Sequence, residues 1–142
     1  MTAYKHILLT TDLTDFSKAA EEKALELTKE FKSRLSLVHI VEPIPAYAYP
    51  GFADLETPIL DQAKEQLAAF GARLKIPPVD QHIEFGSVKE QVVEIADKLN
   101  ADLIIIGSHG RHGLGLLLGS SAHAIVNHAH CDVLTVRCAS ED

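Results

Sequence analysis

The sequence predicts an α/β protein with a single open, parallel five-stranded sheet and helices on both faces. Short apolar segments of strand length alternate with longer amphipathic segments along the whole chain of 142 residues, which is typical of consecutive strand-helix units. The second apolar segment, Leu35 to Val41, is apolar on both faces apart from Ser36 and His39, as expected of a parallel strand that is covered on both sides. Right-handed crossovers restrict the topology, and we expect the strand order 3-2-1-4-5.

Length and charge limit the classes of function. A chain of 142 residues that is 46% hydrophobic is long enough for one domain with a substantial core, so residues 1–142 are expected to form one domain. Thirteen basic and twenty acidic residues give a formal net charge of -7, which argues against a nucleic-acid partner. No apolar run approaches the roughly 18 residues of a membrane span, and no signal peptide is recognisable. We expect a cytoplasmic protein without a membrane partner.

The first strand-helix unit lies at the start of the chain. The apolar run Ile7 to Leu9 predicts strand 1, and Thr14 or Asp15 then offers an N-cap to a helix. Five apolar residues recur at helical spacing after this cap: Phe16, Ala20, Ala24, Leu27 and Phe31. They predict one amphipathic helix. Strand 2 follows, and its His39 is expected to be a core histidine that is hydrogen-bonded to backbone.

The next segment, Pro43 to Pro58, contains four of the six prolines of the chain. It predicts a long loop, and a lid and a plain linker are both open interpretations. Thr57 with Pro58 fits the N-cap and first residue of a helix. The apolar pattern that follows predicts a long amphipathic helix to Leu74, ended by two prolines.

A third unit follows these prolines. Val79 to Phe85 contains polar residues and predicts a weaker strand at an edge of the sheet. Ser87 and Glu90 form an S-x-x-E pattern, which predicts a capping box at the start of a third amphipathic helix. Asn100 is suited to the C-terminal cap of that helix.

The last unit contains a glycine-rich turn. Strand 4 is predicted at Leu103 to Ile106, a helix from about Ser120 to Ala129, and strand 5 at Asp132 to Arg137. The positions expected to point inward from this helix are Ala122, Ile125, Val126 and Ala129. Strand 5 is an edge strand in this topology, apolar and without a lysine or proline to protect it, so it favours self-association.

The expected ligand site lies between strands 1 and 4. In open parallel sheets, ligands bind at the carboxyl ends of the strands where the strand order reverses. Glycine N–H groups and a helix N-terminus there can bind phosphate without a basic side chain. A P-loop is excluded because no lysine follows Lys98, and a dinucleotide fingerprint is disfavoured because Gly113, Gly115 and Gly119 have the wrong spacing and lie in the last unit.

The chain resembles the universal stress protein family over its whole length. The resemblance is carried by YKHILLTTDLTDFS, SLVHIVEP, the turn at Gly86, and IIIGSHGRHGLGLLLGSSAHAIVNHAHCDVLTV. Nucleotide-binding members carry G-x-x-G, nine residues, then G-[ST], which Gly107, Gly110, Gly119 and Ser120 match with eight intervening residues instead of nine. The shorter loop either is absorbed by its other glycines or shifts the helix start and weakens binding. The resemblance implies an adenine-nucleotide alpha-hydrolase-like fold.

The resemblance also implies a set of nucleotide-contacting residues: Thr11, Asp12, Ile40, Gly107, His109, Gly110, Gly119, Ser120 and Ser121. We add Thr10, which stands where the family often has a proline, and Arg111, a basic residue close to the expected phosphates. In this set Asp12 and Thr11 line the adenosine side, Ile40 offers backbone groups to adenine, and the two serines cap the phosphates. Asp12 also suits a magnesium ion bound through water and the phosphates. Alternatives remain open, since Asp12 could form only a turn, the serines could be ordinary N-caps, and Arg111 either clamps a terminal phosphate or faces solvent.

Histidines are concentrated near the end of the chain, where five of the eight lie within 22 residues: His109, His112, His123, His128 and His130. A metal site could be drawn from them, but His123 and His128 are five residues apart on a predicted helix, unlike the i, i+4 spacing of a ligand pair. We expect surface or loop histidines and no metal site built from protein ligands alone.

Three functions remain. The first is a regulatory protein of the stress response that binds ATP, ADP or AMP. The second is an enzyme, a slow ATPase or a protein that phosphorylates or adenylylates itself, although no activated nucleophile or lysine accompanies the glycine-rich turn. The third is a dimeric interaction module without nucleotide. The family resemblance implies a homodimer formed through Asp132 to Arg137.

Overall fold

The structure is a computed structural model that describes residues 4–14, 17–42, 53–107 and 122–137. These residues form five strands, namely β1 (His6–Thr10), β2 (Arg34–Val41), β3 (Gln81–Phe85), β4 (Leu103–Gly107) and β5 (Asp132–Val136). They also contain the helices α1 (Lys18–Phe31), α2 (Ala53–Leu74), α3 (Val88–Leu99) and α4 (His123–His128). All neighbouring strands are parallel, in the order β3-β2-β1-β4-β5. The predicted fold class and strand order are confirmed.

Both faces of the sheet are covered, which explains why the central strands are apolar at successive positions. The face packed by α1 and α2 has a core that includes Ile7, Leu9, Leu37, Leu103, Ile105, Ala20, Ala24 and Leu67. The face packed by α3 and α4 has a core that includes Leu8, Val38, Ile40, Ile104, Ile106, Val92, Ile95 and Ile125. Within the described ranges, none of the helices combines the length and apolar character that a bilayer crossing requires.

Two helix starts differ from the sequence prediction. α2 begins at Ala53 and runs through Pro58, so the predicted start at Pro58 was wrong. A proline there removes one backbone hydrogen bond, and the remainder of a helix of 22 residues tolerates that loss. α1 begins at Lys18 with Ser17 as its N-cap, later than the predicted cap at Thr14, because Thr14 belongs to the turn that follows β1. The alternative cap, Asp15, lies outside the described residues.

The boundaries of β3 and α3 show how local polar contacts decide element ends. The predicted strand from Val79 starts instead at Gln81, because residues Pro78–Asp80 form a 3-10 turn in which the Asp80 N–H donates to the Pro77 carbonyl over 2.9 Å. Ser87 is the N-cap of α3 but its side chain makes no capping hydrogen bond, so the predicted capping box was wrong. Asn100 is the left-handed C-cap, with φ 55°, as predicted.

One predicted core position of α4 was also wrong. Val126 is 51% exposed, whereas Ala122 and Ile125 are buried and Ala129 packs partly against the same core. Consecutive helical residues point about 100° apart, so a helix that buries Ile125 turns the side chain of Val126 toward the surface.

Candidate functional site

The site region lies where β1 and β4 separate. Their ladder ends at the pair Leu9–Ile105. On either side the pairing runs further, to Thr10–Val38 between β1 and β2 and to Gly107–Val136 between β4 and β5. The ladder between the two central strands therefore ends before those beside it, at the place where the strand order reverses and where a ligand crevice is expected in an open parallel sheet.

A tight turn follows β1 at this end of the sheet. Oδ1 of Asp12 accepts hydrogen bonds from the Thr14 backbone N–H at 2.9 Å and from the Thr14 hydroxyl at 2.6 Å. The Thr11 hydroxyl oxygen accepts a bond from the Leu13 N–H at 3.0 Å. Leu13 has φ 63°, a left-handed conformation that costs a non-glycine residue about 1–2 kcal/mol. The two side-chain bonds hold the turn in this strained shape.

The polar groups of Thr11 are used within the protein. Its N–H donates to the Val38 carbonyl at 3.0 Å, and its carbonyl accepts from Nδ1 of His39 at 2.9 Å. Thr11 is 2% exposed. The prediction that His39 is a core histidine bonded to backbone is confirmed. Thr11 is thus built into the scaffold of the turn.

Unlike Thr11, its neighbours Thr10 and Asp12 each have a side-chain oxygen that is not hydrogen-bonded to another described residue. Within the described part of the chain, Oγ1 of Thr10 and Oδ2 of Asp12 are buried without a hydrogen-bond partner. Buried polar atoms are almost always paired, because an unpaired one costs about 1–3 kcal/mol. Both atoms belong to residues at the carboxyl end of β1, Thr10 as its last residue and Asp12 two residues further on.

The other predicted site residues are placed as follows. Ile40 is 6% exposed and its side chain lies in the core beneath α3, so it can offer a ligand only backbone groups. Gly107 is the last residue of β4. The remaining predicted site residues lie outside the described residues: His109, Gly110, Arg111, Gly119, Ser120 and Ser121.

No group of three or more histidine, cysteine, aspartate or glutamate side chains suited to a metal ion occurs in the described ranges. Of the clustered histidines, His130 forms an exposed pair with Asp97, with Nδ1 at 3.0 Å from the carboxylate. His123 and His128 are surface residues of α4.

Sequence reasoning missed a polar chain behind the turn. The hydroxyl oxygens of Thr11 and Ser17 lie 2.9 Å apart, and Ser17 Oγ lies 3.0 Å from Oε2 of Glu21. Arg73 of α2 donates from Nη2 to the other carboxylate oxygen of Glu21 at 2.7 Å. Glu21 is 2% exposed. The available signal was the spacing of Ser17 and Glu21, one helical turn apart beside the apolar stripe, but nothing local pointed to Arg73.

Comparison with known proteins adds independent findings. The model of the universal stress protein family matches residues 3–137. Universal stress protein A homolog 1 of Coxiella burnetii is 41% identical over 138 residues, which are 94% of this chain and 96% of the relative. Among solved structures, the hypothetical protein MJ0577 superposes with a TM-score of 0.81 at 23% identity, over 97% of this chain and 99% of the other. A universal stress protein in complex with cAMP superposes with a TM-score of 0.67 at 25% identity, over 96% and 98%.

Proposed function

Because the chain belongs to the universal stress protein family, we propose that it binds an adenine nucleotide in the crevice between β1 and β4 and regulates a stress response. The observation that carries this proposal is the pair of buried, unpartnered oxygens of Thr10 and Asp12. Both lie at the point where the β1–β4 ladder has ended. A ligand with several hydroxyl groups would satisfy both oxygens.

The roles of the described residues follow from their free and occupied groups. The carboxylate of Asp12 keeps Oδ1 on Thr14, so Oδ2 is available to accept from ribose hydroxyls. Thr10 adds a hydroxyl beside it, and Ile40 supplies backbone groups for the adenine edge. Thr11, whose groups are engaged internally, supports the turn.

The phosphates are assigned to the glycine-rich part of the site. Gly107 begins this part, and His109, Gly110, Arg111, Gly119, Ser120 and Ser121 complete it in the proposal. A magnesium ion bound with the phosphates would also suit this arrangement, because the carboxylate of Asp12 could reach it through water as an alternative to the ribose hydroxyls. The ion would neutralise charge on the phosphates.

The chemistry of a known neighbour supports the ligand class. A universal stress protein of the same fold has been solved in complex with cAMP, which is an adenine nucleotide. We propose ATP or AMP as the ligand here, in a cytoplasmic homodimer formed through residues 132–137. Binding is proposed in preference to turnover, because no lysine follows Lys98 in the sequence to stabilise charge developing on a transferred phosphoryl group.

Thermal unfolding with and without ATP, ADP, AMP and cAMP tests this function, with GTP as the matched control. A ligand that binds only the folded state raises its stability, by about 2.7 kcal/mol at one hundred times the dissociation constant. We expect the melting temperature to rise with at least one adenine nucleotide and to rise less with GTP. An unchanged melting temperature at millimolar concentrations of all four adenine nucleotides would contradict the proposal.

A further inference from the structure

Building on the proposed nucleotide site, we propose that Glu21 is a positioning residue for that site. It acts through Ser17 on the hydroxyl of Thr11, and so holds the turn that presents Asp12 to the ligand. Glu21 itself lies on α1, behind the turn, and would not touch the nucleotide.

The geometry forms a continuous chain of hydrogen bonds. Glu21 Oε2 lies 3.0 Å from Ser17 Oγ, which lies 2.9 Å from Thr11 Oγ1, which accepts the Leu13 N–H at 3.0 Å. Glu21, Ser17 and Thr11 are each at most 5% exposed. Water therefore does not compete for these bonds, and a low local dielectric strengthens them.

The number of hydroxyl hydrogens decides which group donates in each of these hydrogen bonds. An ionised carboxylate and a carbonyl oxygen can only accept, so the single hydroxyl hydrogen of Ser17 is shared between Glu21 Oε2, at 3.0 Å, and the Thr14 carbonyl, at 2.9 Å. Ser17 then has only lone pairs to offer to Thr11, and Thr11 donates its own hydrogen to Ser17. This leaves the Thr11 oxygen as the acceptor that the Leu13 N–H needs in the strained turn.

Arg73 holds Glu21, the residue at which this chain of hydrogen bonds ends. Its guanidinium donates to Glu21 Oε1 at 2.7 Å and lies over the ring of Phe70, 4.7 Å from the centroid. The carboxylate is thus held from α2 on one side and from Ser17 on the other. This clamp leaves Glu21 little freedom to turn away from Ser17.

Stability alone does not explain this arrangement. Burying a carboxylate costs solvation energy that an ion pair only about repays, and a well-packed apolar residue is often as stabilising. Position 21 is buried, as are Ala20 and Ala24 on the same helix, so an apolar side chain there would also be shielded from water. A buried charge that points at the Ser17–Thr11 pair is instead suited to holding a particular geometry.

The molecule contains a matched control at the opposite end of the sheet. Asp80 is also a buried carboxylate, 6% exposed, and it is also paired with a half-exposed arginine, Arg34, whose Nε lies 2.9 Å from Oδ1. It precedes β3 at the amino ends of the strands, far from the turn. Glu21→Gln and Asp80→Asn therefore remove comparable charges, but only Glu21 belongs to the chain of hydrogen bonds that reaches the turn.

The test measures ATP affinity by calorimetry, the melting temperature without nucleotide, and hydrogen exchange of the Leu13 amide by NMR. We expect Ser17→Ala and Glu21→Gln each to weaken ATP binding by about threefold to tenfold and to speed exchange at Leu13. The double variant should lose no more ATP affinity than the weaker-binding single variant, since both substitutions interrupt the same chain of hydrogen bonds. Asp80→Asn should lower the melting temperature while leaving affinity and Leu13 exchange unchanged.

The outcomes separate the two proposals. If the unmodified protein binds no adenine nucleotide, the proposed function fails, and Leu13 exchange alone then decides whether Glu21 holds the turn. Unchanged Leu13 exchange in Ser17→Ala and Glu21→Gln would overturn the inference. An equal loss of ATP affinity in Asp80→Asn would also overturn it, because the effect would then be one of general stability.

Discussion

Nε2 of His6 lies 2.7 Å from the hydroxyl oxygen of Ser36, inside the core beneath α3. The other ring nitrogen, Nδ1, lies 3.1 Å from the Leu99 carbonyl. A carbonyl can only accept, so Nδ1 carries the hydrogen and Nε2 of the neutral ring accepts from Ser36. Burial lowers the pKa of His6 and the charge of Arg34 adds to this, while the bond to Leu99 opposes it.

Stability should consequently depend on the protonation of His6. The pKa of His6 in the folded state lies below the unfolded value of about 6.5. The contribution of the neutral ring to the free energy of unfolding is therefore complete above about pH 6.5, and it is lost as the pH falls through the folded-state pKa. Denaturant unfolding from pH 8 to pH 5 measures this. We expect the loss of stability on acidification to be smaller in His6→Gln than in the unmodified protein. Parallel curves for the two proteins would contradict this role.

Lys32 caps the C-terminus of α1 in a left-handed conformation, with φ 54°, and donates its N–H to the Thr28 carbonyl. Glycine adopts this conformation without the steric cost that other residues carry. Lys32→Gly should therefore raise the free energy of unfolding by about 0.5–1 kcal/mol, after the greater freedom of glycine in the unfolded chain is subtracted. Urea unfolding checks this value. Lys32→Ala is the control, and an equal gain in both variants would contradict the explanation.

The proposed dimer predicts a sensitive edge at β5. Thr135 is exposed there and pairs with Ile106 of β4, which is the one neighbour of β5 among the described strands. Thr135→Lys should shift the protein from dimer to monomer in sedimentation velocity, because like charges would meet across the paired edges. Val79→Lys, at a position that is 71% exposed and remote from β5, should leave the dimer intact. A monomeric unmodified protein would contradict the dimer proposal itself.

Much of this fold could be predicted from local sequence because its main determinants are local. Apolar runs and helical stripes specify strands and helices, and the rules of parallel sheets then restrict how they connect. The same rules predict a ligand site at the carboxyl ends of β1 and β4. His39 was predictable for a similar reason, since a polar residue in a covered strand must find a backbone partner.

The features that were not predicted depend on contacts between distant parts of the chain, or on backbone and side-chain geometry that an apolar sequence pattern does not specify. Glu21 and Arg73 are brought together by the packing of α2 against the sheet beside α1, which no motif encodes. The left-handed conformation of Leu13 is imposed by the side chains around it and contradicts its own preference. In the short helix α4, periodicity alone did not distinguish the buried Ile125 from the exposed Val126.

Titration calorimetry of ATP against Asp12→Asn tests the central claim most directly. Asparagine keeps an oxygen for the two Thr14 bonds and replaces the unpartnered Oδ2 by an amide that cannot accept. We predict an unchanged melting temperature without nucleotide and ATP binding that is weaker by about tenfold or more, the value of one hydrogen bond to a charged group. Equal ATP affinity in Asp12→Asn and the unmodified protein would contradict the assignment of Asp12 to the nucleotide site.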